Sequence, residues 1–187
     1  MGTGTVIDWE IVGKTLGGIL IALWGIRFFD AMVFKGKLNN SFSIIPRTSF
    51  GVTRILFSPL VHSDVAHLRA NTVPLLVLAA LLLLNHYDQF WLVTILIIVV
   101  DGLGTWLFGS KAKHLGASGL VLGYFGFTLA QLYFNMNPVS LLVAGFVAVF
   151  YRGLFLEIFP WRQGTSNVGH LFGFLGGLAA AYFLAGQ

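Results

Sequence analysis

The sequence has no cysteine and few charged residues among its 187 positions. The absence of cysteine excludes disulfide bonds and metal sites built from thiolates. Charged residues make up 10% of the chain, and the net charge of +4 comes from scattered basic residues rather than a basic run. This pattern does not favour a nucleic-acid partner. We expect neither a metal nor a cofactor.

Apolar residues are present in excess. Hydrophobic residues make up 57% of the chain, and the mean hydropathy is +0.85, well above that of soluble domains. One core cannot hide so many apolar side chains, so a lipid bilayer must be part of the solvent. A membrane-spanning helix takes roughly 20 apolar residues, which allows about six spans. We therefore expect a single all-α transmembrane domain over residues 1–187. Asp8 and Glu10 near the start argue against a removable signal peptide.

Hydrophobic runs and polar turns divide the chain into six predicted spans. The segment 30–58 between the first two spans is amphipathic and is expected to lie in the membrane interface. Pro74 is expected to bend the second span. The predicted spans cover residues 11–29, 62–85, 89–108, 118–135, 139–159 and 167–184.

Ser118 opens the fourth predicted span, between Gly116 and Gly119. The glycines would let another backbone or a substrate carbonyl approach closely. The helix start supplies free N–H groups and partial positive charge for a developing oxyanion. Alone, this pattern is weak evidence, because glycine and serine are also common packing residues in membrane helices.

His67 and Asn71 are four residues apart, so they share one face of the second span. Polar side chains are costly inside a bilayer and need an explanation there. Each has an ordinary alternative, because an intramembrane histidine can serve packing or an ion pathway and an asparagine can join helices. His62 precedes them and is predicted to lie near the membrane surface.

His170 lies early in the sixth span and is followed by Gly173 and Gly177. Small residues at this spacing allow a helix to pack closely against a neighbour. If that neighbour is the fourth span, His170 meets Ser118. An imidazole that accepts the serine proton would make the hydroxyl a nucleophile.

Taken together, these motifs resemble those of the rhomboid intramembrane serine proteases, in their small six-span prokaryotic form. The matching pieces are His62-x4-His67-x3-Asn71, Gly116-Ala117-Ser118-Gly119, His170-x2-Gly173-x3-Gly177 and Arg54. They follow the family order from residue 54 to residue 177.

The resemblance implies a rhomboid-like bundle of six transmembrane helices with an interfacial first loop. It implies a catalytic dyad of Ser118 and His170 without a third acid, and an oxyanion hole formed by His67, Asn71 and the Ser118 amide. Substrates would be transmembrane proteins, cut in or near a span, and the host membrane would be the prokaryotic cell membrane. Structural support would come from His62, Gly116, Gly119, Gly173, Gly177 and Arg54.

Two positions depart from the family pattern. Thr53 stands where the first loop usually has an aromatic residue before the arginine, and Leu122 stands where many members have an aromatic that stacks on the catalytic histidine. Neither departure removes a reacting atom. Residues that could replace the missing aromatic are Tyr124, Phe125 and Phe172.

The resemblance and the charge pattern disagree about orientation. The family places the N-terminus in the cytoplasm and opens the site outward. Most lysines and arginines, however, lie on the predicted active-site side, and only Lys14 lies on the other. The positive-inside rule therefore places the active-site face in the cytoplasm. We nevertheless favour the family orientation, with several of these basic residues anchoring the first loop to lipid headgroups.

Two other functions fit parts of the sequence. A catalytically silent rhomboid-like protein would bind membrane segments without cutting them, but such proteins typically lack the serine or the histidine. A small transporter would distribute polar residues through the bilayer. Here 75–84 and 95–100 are wholly apolar, which favours a cavity of half the membrane depth.

Arg69 and Asp101 are both predicted to lie below the membrane surface, where an unpaired charge is costly. A short turn joins their two spans, which are expected to be antiparallel neighbours. We therefore predict an ion pair behind the site. The alternative is that Arg69 reaches the headgroups and Asp101 faces a water-filled cavity.

Overall fold

The computed structural model describes residues 8–134, 136, 138–150, 153, 156 and 167–185. Within these ranges the chain forms helices and has no strand, apart from an isolated antiparallel bridge between Ile44 and His114. Short π and 3-10 segments cover Asp30–Phe34, Ser58–Leu60 and Tyr87–Gln89. The α-helices are α1 (Trp9–Phe29), α2 (Lys37–Phe42), α3 (Ser49–Thr53), α4 (Val65–Asn85), α5 (Phe90–Phe108), α6 (Ser118–Phe134), α7 (Pro138–Phe150) and α8 (Asn167–Ala185).

Four helical segments of the described chain are long and apolar enough to cross a membrane. They are Trp9–Phe34, Val65–Asn85, Tyr87–Phe108 and Asn167–Leu184. Large apolar side chains cover their outer faces; Ile21 is 73% exposed and Trp91 is 61% exposed, as expected for surfaces in contact with lipid. The predicted total of six spans is not confirmed, because α6 has 17 residues and the fifth predicted span lies partly outside the described residues.

Helix α6 forms the centre of the bundle and packs against α4, α5 and α8. Its side chains at Val121, Leu122, Phe125 and Phe127 are buried. The hydroxyl of Tyr124 lies 2.7 Å from that of Thr94 in α5, which satisfies two polar groups inside the bundle. The residues that open α6 are therefore held from several sides.

Glycines set the distance between α6 and α8. A Cβ atom at Gly173 would overlap the backbone of Gly119, and one at Gly177 would overlap the backbone of Gly123. The backbones of the two helices are therefore in direct contact, as the spacing of the α8 glycines predicts. This contact brings the first turn of α8 to the first turn of α6.

Hydrogen bonds fix the loop between α1 and α4, although it contains only short helices. Buried Asp30 accepts from the Leu38 N–H at 3.0 Å, and Arg47 donates to the carbonyls of Leu107 and Gly109 at the end of α5. Phe50 is 71% exposed on this loop, which suits a segment that meets lipid.

The predicted ion pair between Arg69 and Asp101 is not formed. Helix α5 packs mainly against α8 and α6 rather than against α4, and its Gly104 lies against Phe172 of α8. Arg69 is exposed on the outer face of α4, and Asp101 lies against Gly119 at the start of α6. The short turn makes the two helices consecutive but does not make them close neighbours.

Candidate active site

Ser118 and His170 meet where α6 and α8 begin. The Ser118 Oγ and His170 Nε2 atoms are 2.9 Å apart, within hydrogen-bond distance. His170 is 5% exposed, so its imidazole is largely shielded from solvent. The structure thus brings together the two residues that the sequence singled out as nucleophile and base.

The chain that leads into Ser118 is tied to the first loop. The Gly116 N–H donates to the Ser58 carbonyl at 2.9 Å. Further along the same segment, Ile44 and His114 exchange two backbone hydrogen bonds of 2.8 and 2.9 Å. Because the segment before Ser118 is hydrogen-bonded to the first loop at both His114 and Gly116, the serine follows a fixed stretch of backbone.

His62 lies behind this segment and supports it. The Ala117 N–H donates to His62 Nε2 at 3.3 Å, and the ring is 1% exposed. Burial and the neighbouring His67 lower the pKa of His62 to about 4. The Leu60 carbonyl raises the pKa slightly, yet Nδ1 makes no hydrogen bond of good geometry. His62 is therefore neutral at pH 7 and accepts through Nε2, which fits a structural role.

His67 and Asn71 converge on Gly116. A Cβ atom at Gly116 would lie 2.8 Å from His67 Nε2 and 3.7 Å from Asn71 Nδ2. Gly116 has a φ angle of 106°, in the region that favours glycine. A larger residue here would push His67 aside, so glycine is needed for both space and backbone conformation.

Two further hydrogen bonds position these side chains. Asn71 is buried and donates one amide hydrogen to the His67 carbonyl at 3.2 Å, which leaves the second amide hydrogen for another acceptor. Asp64 caps α4, since its Oδ1 accepts from the His67 N–H at 2.8 Å. The first turn of α4 is thus fixed beside the start of α6.

A small polar cavity of about 20 Å³ adjoins Ser118 and His170. Asp101 lines it, with its Oδ1 accepting from the Thr105 hydroxyl at 3.2 Å, and His114 lines it from the other side. The sequence analysis paired Asp101 with Arg69 on α4 and gave a cavity as the alternative; the structure places Asp101 at a cavity. A signal that could have located it is Gly119, the residue after Ser118, because a side chain there would overlap the Asp101 carboxyl.

Arg54 and Gly119 are the remaining predicted support residues. Arg54 donates to the carbonyls of Asn40 and Ser43, both at 3.3 Å, and so braces the first loop. A Cβ atom at Gly119 would lie 2.9 Å from Asp101 Oδ1, so this glycine gives the carboxyl room. The described residues contain no cluster of three His, Asp or Glu side chains that could hold a metal.

The aromatic candidates for the departure at Leu122 have other contacts. The Phe172 ring stacks on Phe108 at 5.4 Å, and the Phe125 ring lies 6.1 Å from that of Phe174. Leu122 itself is fully buried in the bundle. Position 122 therefore contributes to packing of the bundle core.

Comparison with known proteins shows to which family the chain belongs. The model of the family described as Rhomboid domain matches residues 49–187. The chain is also similar to uncharacterized proteins of Mycobacterium tuberculosis and Mycobacterium bovis, each 33% identical over 186 residues, or 95% of this chain and 77% of the relative. An uncharacterized protein of Mycobacterium leprae is 30% identical over 194 residues, covering 98% and 75% of the two chains.

The chain belongs to the rhomboid family.

Rhomboid membership and the apolar helices together identify a multi-pass helical membrane protein. The matched region begins in the first loop and contains the predicted site residues, from Arg54 to Gly177. Apart from Arg54 in the first loop, the rhomboid motifs lie at the starts of α4, α6 and α8, and α6 packs against both of the others.

Proposed function

We propose that this rhomboid protein is a serine endopeptidase that cuts peptide bonds in or near the membrane spans of other proteins. The observation that carries the proposal is the 2.9 Å separation of His170 Nε2 and Ser118 Oγ at the first residue of α6. A serine hydroxyl is a weak nucleophile until a neighbouring base accepts its proton, and His170 is placed to do so.

In the first half of the reaction His170 takes the proton of Ser118 while Oγ attacks the substrate carbonyl carbon. Negative charge develops on the carbonyl oxygen. The Ser118 amide at the start of α6, the second amide hydrogen of Asn71 and the ring of His67 supply donors for it. His170 then returns the proton to the leaving amine, and the acyl group remains on Ser118.

The second half needs water beside the acyl group. The cavity of about 20 Å³ that adjoins Ser118 and His170 has room for about one water molecule. Its polar lining includes Thr105 and Asp101, groups that can hydrogen-bond to water. This water would attack the ester carbonyl while His170 accepts its proton. His170 would then return the proton to Ser118 Oγ as the Oγ–acyl bond breaks, which releases the carboxylic acid product and regenerates the serine.

The position of the site favours membrane-embedded substrates. His67 and His170 lie in the first turns of α4 and α8, which are long enough to cross a membrane, and Ser118 opens the neighbouring α6. A span of another protein that lies beside the bundle is therefore a more fitting substrate than a soluble peptide. Lipid is the second partner, and the mycobacterial relatives favour a prokaryotic cell membrane as the site of action.

The test is active-site labelling with a fluorophosphonate, paired with cleavage of a model transmembrane substrate in liposomes. Wild type should be labelled and should cleave, whereas Ser118→Ala should do neither while it keeps its thermal unfolding temperature. Ser49→Ala, an exposed serine of the first loop, is the matched control and should behave as wild type. A wild-type protein that neither labels nor cleaves would instead support the catalytically silent alternative.

A further inference from the structure

Three polar residues at the start of α4 form a hydrogen-bonded chain that the dyad does not explain. The Ser63 hydroxyl donates to Asp64 Oδ2 at 2.9 Å, and Ser63 Oγ lies 3.2 Å from His67 Nδ1. The other carboxylate oxygen of Asp64 is used by the His67 N–H as the helix cap. The two residues are therefore linked to His67 through both its backbone and its ring.

The direction of each hydrogen bond follows from counting protons. The His67 N–H and the Ser63 hydroxyl lower the pKa of Asp64, so this carboxyl is ionised at neutral pH and can only accept. A hydroxyl has one hydrogen, which Ser63 gives to Asp64. The hydrogen between Ser63 and His67 must then belong to Nδ1 of His67.

This assignment restricts what His67 can do for an oxyanion. A neutral imidazole carries one ring proton, and with that proton on Nδ1 the Nε2 atom beside Gly116 would present a lone pair. A lone pair repels a developing negative charge. His67 can donate from Nε2 only when both ring nitrogens carry a proton.

We propose that Ser63 and Asp64 are positioning residues that hold a proton on His67 Nδ1, so that His67 faces the oxyanion as an imidazolium with Nε2–H as the donor. The inference rests on the proposed protease function, because it concerns the oxyanion of that reaction.

Charged and titratable groups surround His67, and Arg27 of α1 places a positive charge near the adjacent His62 ring. The ring of His62 meets that of His67 edge to face at 5.1 Å, and because the pKa of His62 is lowered to about 4 it adds no positive charge at neutral pH. Asp64 supplies a negative charge at the end of the hydrogen-bonded chain. On the α6 and α8 side, the titratable groups of the adjoining cavity are Asp101, His114 and His170.

The pH dependence of cleavage tests the proposal. Wild type should give a bell-shaped profile, because His170 must be neutral and His67 must be charged. In Asp64→Asn the amide oxygen keeps the helix cap, and the amide nitrogen donates a hydrogen bond to Ser63 Oγ. The Ser63 hydroxyl then donates its own hydrogen bond to His67 Nδ1. Neutral His67 would thereby carry its proton on Nε2, and the alkaline limb should disappear. About one pH unit above the midpoint of the wild-type alkaline limb, Asp64→Asn should cleave about tenfold faster than wild type.

Ser63→Ala is the second variant, since it leaves the Asp64 cap intact and breaks only the link to the ring. It should also broaden the profile on the alkaline side and leave the acid limb unchanged. An alkaline limb that stays in place in both variants would overturn the proposal. So would an Asp64→Asn enzyme that is faster than wild type at every pH, because His67 would then be neutral in the wild-type reaction.

A measurement independent of activity separates this proposal from the proposed function. Ring-nitrogen NMR of ¹⁵N-histidine protein, with the His67→Gln spectrum subtracted, reports which nitrogens carry protons. At about pH 6 both His67 nitrogens should be protonated in wild type. A wild type whose Nε2 lacks a proton at that pH overturns the proposal, whereas an absence of Ser118-dependent cleavage would refute the protease function alone.

Discussion

One methyl group at Gly173 would test the packing that holds the dyad together. A Cβ atom there would lie 2.8 Å from the carbonyl carbon and 2.9 Å from the Cα of Gly119, and nearer still to its carbonyl oxygen. Carbon atoms in ordinary contact are about 3.5 to 4.0 Å apart. The opposing atoms are backbone, so Gly173→Ala must move α8 away from α6 by roughly 0.6 Å or more.

This movement would be felt at the dyad, because His170 lies one turn before Gly173. The His170 Nε2 to Ser118 Oγ distance of 2.9 Å would lengthen to about 3.5 Å, where a hydrogen bond is lost. Misplacement of a base by about 1 Å can cost about 100-fold in rate. We expect kcat to fall by about that factor, and the free energy of unfolding to fall by about 1–3 kcal/mol from overpacking.

The assay is turnover of a transmembrane substrate together with thermal unfolding in the same detergent. Gly145→Ala in α7 is the matched control, because a Cβ atom there would meet no atom within 4 Å. It should keep wild-type turnover and unfolding temperature. Normal turnover and stability in Gly173→Ala would refute the packing argument. Lower stability with normal turnover would show that the α6–α8 contact does not position His170.

Three other outcomes are expected. Asn71→Ala should reduce kcat by about 10²–10³ with little change in KM, because it removes an oxyanion donor; a loss confined to KM would indicate substrate docking instead. The fold should lose stability as the pH falls from 6.5 toward 4, since the buried, neutral His62 has its pKa lowered to about 4 and the unfolded chain takes up the proton first. The loss of folding free energy should reach about 3 kcal/mol. Thermal unfolding at several pH values measures it, and His62→Gln should not show it. Arg69→Leu and Asp101→Leu should change stability additively within about 0.5 kcal/mol, because the two charges are apart; a coupling above 1 kcal/mol would contradict their placement.

Residue type and spacing were sufficient to predict the parts of the site that lie along one helix. The i, i+4 relation of His67 and Asn71 fixes a shared face whatever surrounds the helix. The glycine spacing after His170 predicts a close helix contact for a similar reason, since only small side chains let two backbones touch. The helical membrane bundle followed from hydropathy alone.

Which helices become neighbours depended on the tertiary structure. The chain order suggested that α4 and α5 pack together and that Arg69 pairs with Asp101. The shapes of facing surfaces decided otherwise: the glycines of α6 and α8 bring those two helices into backbone contact, α5 packs on both of them, and Asp101 lies at the cavity beside Ser118. Sequence proximity limits only how far apart two helix ends can lie, whereas burial and close packing select the partner face.

The sequence alone was sufficient to predict a helical membrane protein that carries a serine, three histidines and an asparagine at rhomboid spacings. The tertiary structure decided the 2.9 Å contact of Ser118 and His170, the support of Ala117 by His62, and the link from Asp64 through Ser63 to the His67 ring. Hydrogen bonds require positions accurate to a few tenths of an ångström, and only the packed backbone sets these.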